Sequence, residues 1–128
     1  MVQQITNGIK ISVKTRYNGT IQRNGNTYHT FSYYINIDNE SKETVQLLER
    51  LWEISDTLND KEIVEGEGVV GQRPIIEPKG VYTYRSNCFL HGTSGSMKGS
   101  FKMINKQTKR TFRVTIPTFQ LNSTPILN

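Results

Sequence analysis

The chain has 128 residues and a formal net charge of +5, from 16 Lys and Arg against 11 Asp and Glu. It contains no alanine but 13 Ile, 8 Val, 14 Thr, 6 Tyr and 5 Phe, residues that suit a pleated, half-buried surface, so an all-β domain is expected and an Ala/Leu-rich bundle is disfavoured. No apolar run approaches the ~20 residues of a membrane-spanning helix, and Met1 to Lys10 lacks the apolar core of a secretion signal.

Ile9, Ile11 and Val13 alternate with Lys10, Ser12 and Lys14, the period-two signature of a strand, which runs on through Thr15 and Tyr17. Asn18-Gly19 and Asn24-Gly25 are turn dipeptides, so residues 18–26 read as a flexible connection. Phe31, Tyr33, Ile35 and Ile37 define the next strand. Over 43–54 the periodicity predicts an amphipathic helix, with Val45, Leu48 and Trp52 on one face and Gln46, Glu49, Arg50 and Glu53 on the other. Strand signals return at Glu62–Val64, Ile75-Ile76 and Val81–Tyr84. Residues 91–99 read as a loop, Phe101 and Met103 as a short strand, and Phe112, Val114 and Ile116 as the last strand. Seven or eight short strands separated by turns, with no internal repeat or long linker, predict a single antiparallel β-sandwich.

Candidate chemistry is sparse. Gly66-Glu67-Gly68-Val69-Val70-Gly71 is a literal G-x-G-x-x-G. A dinucleotide site needs that motif to open a helix after a strand, whereas Pro74 follows at once and Glu67 places a negative charge inside the loop. The motif is read as close backbone approach and positive φ in a turn between strands. Ser94, in Gly92-Thr93-Ser94-Gly95-Ser96, misses the second glycine of a nucleophile elbow. Cys88, the one cysteine, excludes an internal disulfide, fits a reducing cytosol and reads as a buried packing residue. With only His29 and His91 beside it, no Cys/His zinc site can be completed, and Asp56 and Asp60 read as solvated turn carboxylates. No enzyme activity, cofactor or metal is therefore expected.

The charge is polarised along the chain: +4 over residues 1–37, −6 over 38–79, which hold every acid, and +7 over 80–128. A basic total with Tyr and Phe is compatible with nucleic acid. The aromatics alternate at core-facing positions, however, so burial is expected rather than base stacking, and nucleic acid is not an expected partner.

Several pieces occur in the order found in one family. They are Val13-Lys14-Thr15-Arg16-Tyr17, Val45-Gln46-Leu47-Leu48 with Arg50 and Trp52, Gly66 to Gly71 with Pro74, Pro78-Lys79-Gly80, Gly95-Ser96-Met97-Lys98-Gly99 and Ile116-Pro117-Thr118-Phe119. Together they resemble the ApaG family, also called CorD, over about residues 9–121, leaving 1–8 and 122–128 as tails. Leu51 stands where the family often has His or Tyr. The resemblance implies a fibronectin type III-like (immunoglobulin-like) sandwich, with residues 45–54 as a strand against the helical periodicity. It also implies a stand-alone cytoplasmic protein, associated genetically with cobalt resistance, magnesium efflux and the diadenosine-tetraphosphate hydrolase locus. Related domains in an F-box protein and a polymerase delta-interacting protein point to partner binding without catalysis.

The leading expectation is thus a protein-interaction module with an unidentified protein partner. Its contact loop is Gly66, Glu67, Gly68, Gly71, Arg73 and Pro74, and its accessory surface is Arg50, Ser96 and Lys98. The alternative is an anion or nucleotide binder, for dinucleoside polyphosphates, using the same loop and the basic surface. A direct divalent-metal binder is a third reading and lacks ligands. In the implied sandwich the first and last strands lie in different sheets, so the two basic segments need not merge, and the charge reads as a two-signed surface for a protein. The oligomeric state stays open.

Overall fold

The computed structural model describes residues 1–123, which form nine strands and no helix. These are β1 (Val2–Thr6), β2 (Ile9–Arg23), β3 (Asn26–Asn39), β4 (Val45–Asp56), β5 (Asn59–Glu67), β6 (Ile75–Ile76), β7 (Val81–Leu90), β8 (Ser94–Asn105) and β9 (Thr111–Asn122). They build two antiparallel sheets, one in the order β1-β2-β3-β7 and the other β5-β4-β8-β9, with β6 paired to β4 beyond the end of β5.

Alternation puts one face of each strand inward. Ile9, Ile11 and Val13 of β2 and Phe31, Tyr33, Ile35 and Ile37 of β3 meet Leu47, Trp52, Met97, Phe101, Val114, Ile116 and Phe119 of the opposite sheet in one core. Trp52, Tyr33 and Phe119 form an aromatic triad across the sheets, with centroids 5.3–5.9 Å apart. On one side of the sandwich the sheets meet at β1 and β9, where the Thr115 amide donates to Thr6 Oγ1 at 3.3 Å. On the other side β5 and β7 are both edge strands, neither paired along its outer edge among the described residues.

Residues 45–54 form a strand, and the helical periodicity has a definite cause. The register with β8 runs Leu47↔Met103 and then Glu49↔Lys102, so Leu48 is an extra, bulged residue. Before the bulge the odd residues Val45 and Leu47 face inward; after it the inward residues are Arg50, Trp52 and Ile54, because a bulge reverses the phase of the alternation.

Three other sequence readings are corrected. Residues 18–26 are a hairpin rather than a flexible connection: Gly19 sits at a bulge in β2, and Asn24 (φ 52°) with Gly25 (φ 78°) makes the tight turn between β2 and β3. Residues 1–8 are no tail, since Val2–Thr6 pair in register with Ile9–Val13. Residues 94–99 belong to β8, kept as strand by glycines that let backbones touch: a Cβ on Gly99 would lie 2.0 Å from the Leu51 carbonyl oxygen. Of the C-terminal tail, Asn122 ends β9, and residues 124–128 lie outside the described residues.

Candidate functional site

The glycine loop is the detour between β5 and β6, and its hydrogen bonds go to the bulge in β4. The Gly68 amide donates to Leu48 O at 2.8 Å and the Leu47 amide to Pro74 O at 3.0 Å. Val69 and Gln72 exchange amide-to-carbonyl bonds of 2.8 and 2.9 Å, closing a tight turn whose tip is Val70 and Gly71. Val69 is fully buried in the core and anchors the loop. Gly68 has φ +61°, and a Cβ there would lie 2.2 Å from Gln72 O. Its missing side chain is occupied by the loop itself.

Arg50 is the second support. It lies opposite Gly66 across the β4–β5 pair, with its guanidinium 2.7–2.8 Å from where a Gly66 Cβ would sit. From there Nη1 donates to Glu67 O at 2.9 Å and Gly68 O at 3.0 Å. Arg73 pairs with Glu67 at 3.1 Å, so that cation of the loop has its counter-charge beside it. The amides of Gly68, Val69 and Gln72 already donate within the protein, so the loop does not offer them to a phosphate, in contrast to a true phosphate-binding nest.

The structure thus brings Arg50 together with Gly66, Glu67, Gly68, Gly71, Arg73 and Pro74, but not with Ser96 and Lys98. Ser96 lies opposite Ser55 at the far end of β4, and Lys98 pairs with Glu53 on the outer face at 3.3 Å. Lys61 bonds the same carboxylate at 3.2 Å, and the two lysines hold Glu53 below the usual carboxylate range.

Arg50 also lines a feature that the sequence did not reveal, a cleft of about 430 Å³ between the sheets on their open side. Its floor is Tyr33, Trp52, Ile54, Cys88, Leu90 and Met97. Asp60 and Glu62 face it from β5, on the same side of that strand as Val64, and Tyr28 stacks on His91 at its far end with centroids 4.6 Å apart. A signal existed in β5, where Asp60, Glu62 and Val64 share one side of the alternation. Reading it required knowing that this side faces a gap rather than a packed core. Inward-pointing charges on an edge strand also protect that edge from indiscriminate pairing.

Nothing in the cleft assembles into a catalytic set. Burial, with Glu62 and Asp56 adding to it, pushes the Cys88 thiol up to about 12, so it is protonated and inert at neutral pH. Burial likewise raises the Tyr33 and Tyr84 hydroxyls above the usual phenol range. Among the described residues no group of three His, Cys, Asp or Glu is placed to hold a metal ion.

Asp56 is a capping residue rather than a solvated turn carboxylate. It accepts from the amides of Leu58 (3.0 Å), His91 (2.7 Å) and Gly92 (2.8 Å), tying the β4–β5 turn to the β7–β8 connection at one end of the cleft. Burial acts to raise its carboxyl, but the three amides and the nearby His91 outweigh burial and hold it below the ordinary value. A lowered folded-state value means that Asp56 stabilises the fold above the unfolded carboxylate range near 4, and that this contribution is lost as pH falls through the folded value. Asp56→Asn is therefore expected to be less stable than wild type at pH 7 in urea melts, with the difference shrinking towards pH 2.

Comparison with known proteins follows the same lines. The family model described as the ApaG domain matches residues 20–105. The chain belongs to the ApaG family. A Protein ApaG of Mesorhizobium japonicum is 38% identical over 122 residues, covering 95% of this chain and 93% of the relative. A Protein ApaG of Vibrio cholerae is 41% identical over 123 residues, covering 94% of each. An X-ray structure of a Northeast Structural Genomics Consortium target superposes with a TM-score of 0.88 at 32% identity, over 94% of this chain and 91% of that one. The ApaG assignment therefore spans both sheets. Among the described residues no helix is long and apolar enough to cross a membrane.

Proposed function

We propose that this ApaG domain is a non-catalytic protein-interaction module of the cytoplasm, and that it receives an extended, basic segment of a partner protein along the open seam between β5 and β7. The observation that carries the reading is the seam itself: two unpaired edge strands on the same side of a sandwich, separated by a cleft with an apolar floor and Asp60 and Glu62 at its mouth. An unpaired edge supplies backbone donors and acceptors to an added strand, and a pocket beneath it supplies side-chain selectivity. The acidic mouth selects Lys or Arg flanking an apolar anchor. The glycine loop and Arg50 then shape one end of the seam instead of forming the contact surface by themselves. Any link to cobalt or magnesium resistance runs through the partner, not through an ion bound to this chain.

Affinity capture from native cytosol tests this. Wild type and the outer-face variant Arg113→Glu are expected to retain a common partner, cross-linked to residues of β5 or β7, and Asp60→Lys/Glu62→Lys is expected to lose it. Equal retention by the double variant would remove the seam from the reading.

A further inference from the structure

The outer face of the β1-β2-β3-β7 sheet carries a second surface that the seam does not use. Cross-strand register aligns Lys14, Tyr34 and Arg85 in one row and Arg16, Ser32 and Asn87 in the next. The two basic chain segments, which need not have merged, meet here through Arg85, because β7 docks beside β3 and brings it to the face that holds Lys14 and Arg16. Lys14, Arg16, Arg23 and Arg85 are all exposed, and none lies within ion-pair distance of a carboxylate among the described residues. The acid carried by these rows, Asp38, stands at their far end opposite Lys10, which pairs with Glu40 at 3.5 Å. By contrast, Lys61, Lys98 and Lys102 of the other sheet each have a Glu partner.

Not every aromatic is in the core, as the alternation had suggested. Tyr34 is half-buried in the middle of the face with the Arg85 guanidinium 5.6 Å from its ring centre. Phe89 is 48% exposed, with Arg23 5.8 Å from its ring centre. Between them the surface is ordered: the fully buried Ser32 hydroxyl accepts from Arg85 Nη2 at 3.0 Å and Asn18 Nδ2 at 2.6 Å and donates to Asn87 Oδ1 at 3.1 Å. Lys14, Arg16 and Tyr34 line a shallow hollow of about 410 Å³ on it.

We propose that this sheet face binds single-stranded nucleic acid. The cations are spread along β2 from Lys14 to Arg23, roughly 25–30 Å at strand rise, which suits a polymeric anion better than a small one. Two aromatic rings, each with an arginine over it, offer ring and guanidinium planes on which unstacked bases can stack, planes that an acidic protein segment or a phospholipid surface would not use. An open antiparallel sheet exposes both rings on one face, four residues apart along its strands, where the bases stacked inside a duplex could not reach them.

The test is fluorescence anisotropy of the full chain with a labelled fifteen-nucleotide pyrimidine strand, against the same strand annealed to its complement. Single-strand binding is expected to be the tighter. With about four phosphates neutralised, affinity should fall roughly 50-fold between 50 and 200 mM salt. Lys14→Glu/Arg16→Glu, which spares the Ser32 network, should weaken binding at least tenfold and flatten the salt dependence. Phe89→Ala should weaken it at least fivefold while leaving the salt dependence unchanged. Arg113→Glu on the other sheet should bind as wild type. Absence of salt-dependent binding to the single strand, equal affinity for duplex, polyglutamate or anionic vesicles, or an equal loss in Arg113→Glu would each overturn the proposal.

Discussion

Gly68→Ala is expected to destabilise the domain by about 2–5 kcal/mol, a cost with two sources. A residue with a Cβ held at φ +61° loses roughly 1–2 kcal/mol against glycine. Pushing that Cβ away from the Gln72 carbonyl, which it would approach to 2.2 Å, adds about 1–3 kcal/mol of overpacking. The movement would also pull the Gly68 amide from Leu48 O and the loop carbonyls from Arg50. Urea melts followed by circular dichroism should show the lower midpoint. Gly66→Ala should cost less, because the atoms in its way belong to the movable end of the Arg50 side chain rather than to backbone. Equal stability of Gly68→Ala and wild type would mean that the loop's closure is not what its glycine serves. Loss of partner capture in a Gly68 variant is consequently not evidence that the loop touches a partner, which is why the seam is tested at Asp60 and Glu62.

Trp52→Ala is expected to cost about 3–5 kcal/mol, the range for emptying a buried large aromatic site. Trp52 is 2% exposed and joins the two sheets, meeting Tyr33 edge-on at 5.3 Å and Phe119 at 5.8 Å and 90°. Each such pair is worth about 0.5–1.5 kcal/mol beyond the area it buries. Against a total stability of about 5–15 kcal/mol, the loss would leave the domain marginal at 37 °C. Since this is the only tryptophan, the melt must be read by circular dichroism. Leu58→Ala, at a position 74% exposed, should change stability by less than about 0.5 kcal/mol. A Trp52→Ala midpoint within that same margin would show that the triad is not what couples the sheets.

The parts of this molecule that were readable from sequence are those where side-chain alternation runs undisturbed. Ile9 to Val13 and Phe31 to Ile37 announce their strands because nothing interrupts the phase. The helical appearance of 43–54 arose from one bulged residue, and the family motif resolved it because it records the outcome without needing the phase. Asn18-Gly19 and Asn24-Gly25 look alike in sequence yet are a bulge and a hairpin turn, a difference fixed by pairing across to β3. β1 was invisible because Gln3 and Gln4 break any apolar pattern; its pairing with β2 supplies what its side chains do not. The glycine motif was conspicuous, but its use depends on Leu48 and Arg50 in another strand. The cleft left only a trace in the alternation of β5, and the basic face only in the charge of the two end segments, since each exists only once β7 is placed beside β3.

The bulge at Leu48 has a consequence for how β4 can change. Replacing Leu48 alters one half-buried side chain, and deleting it would join the Leu47↔Met103 pair directly to Glu49↔Lys102, a strict alternation in which Val45, Leu47, Arg50, Trp52 and Ile54 all still face inward. What would go is the Leu48 carbonyl that accepts from the Gly68 amide at 2.8 Å. What is stored at that position is therefore a mooring for the glycine loop, supplied by backbone and indifferent to the side chain. The strand is a ladder with one rung standing proud, and the loop is tied to that rung.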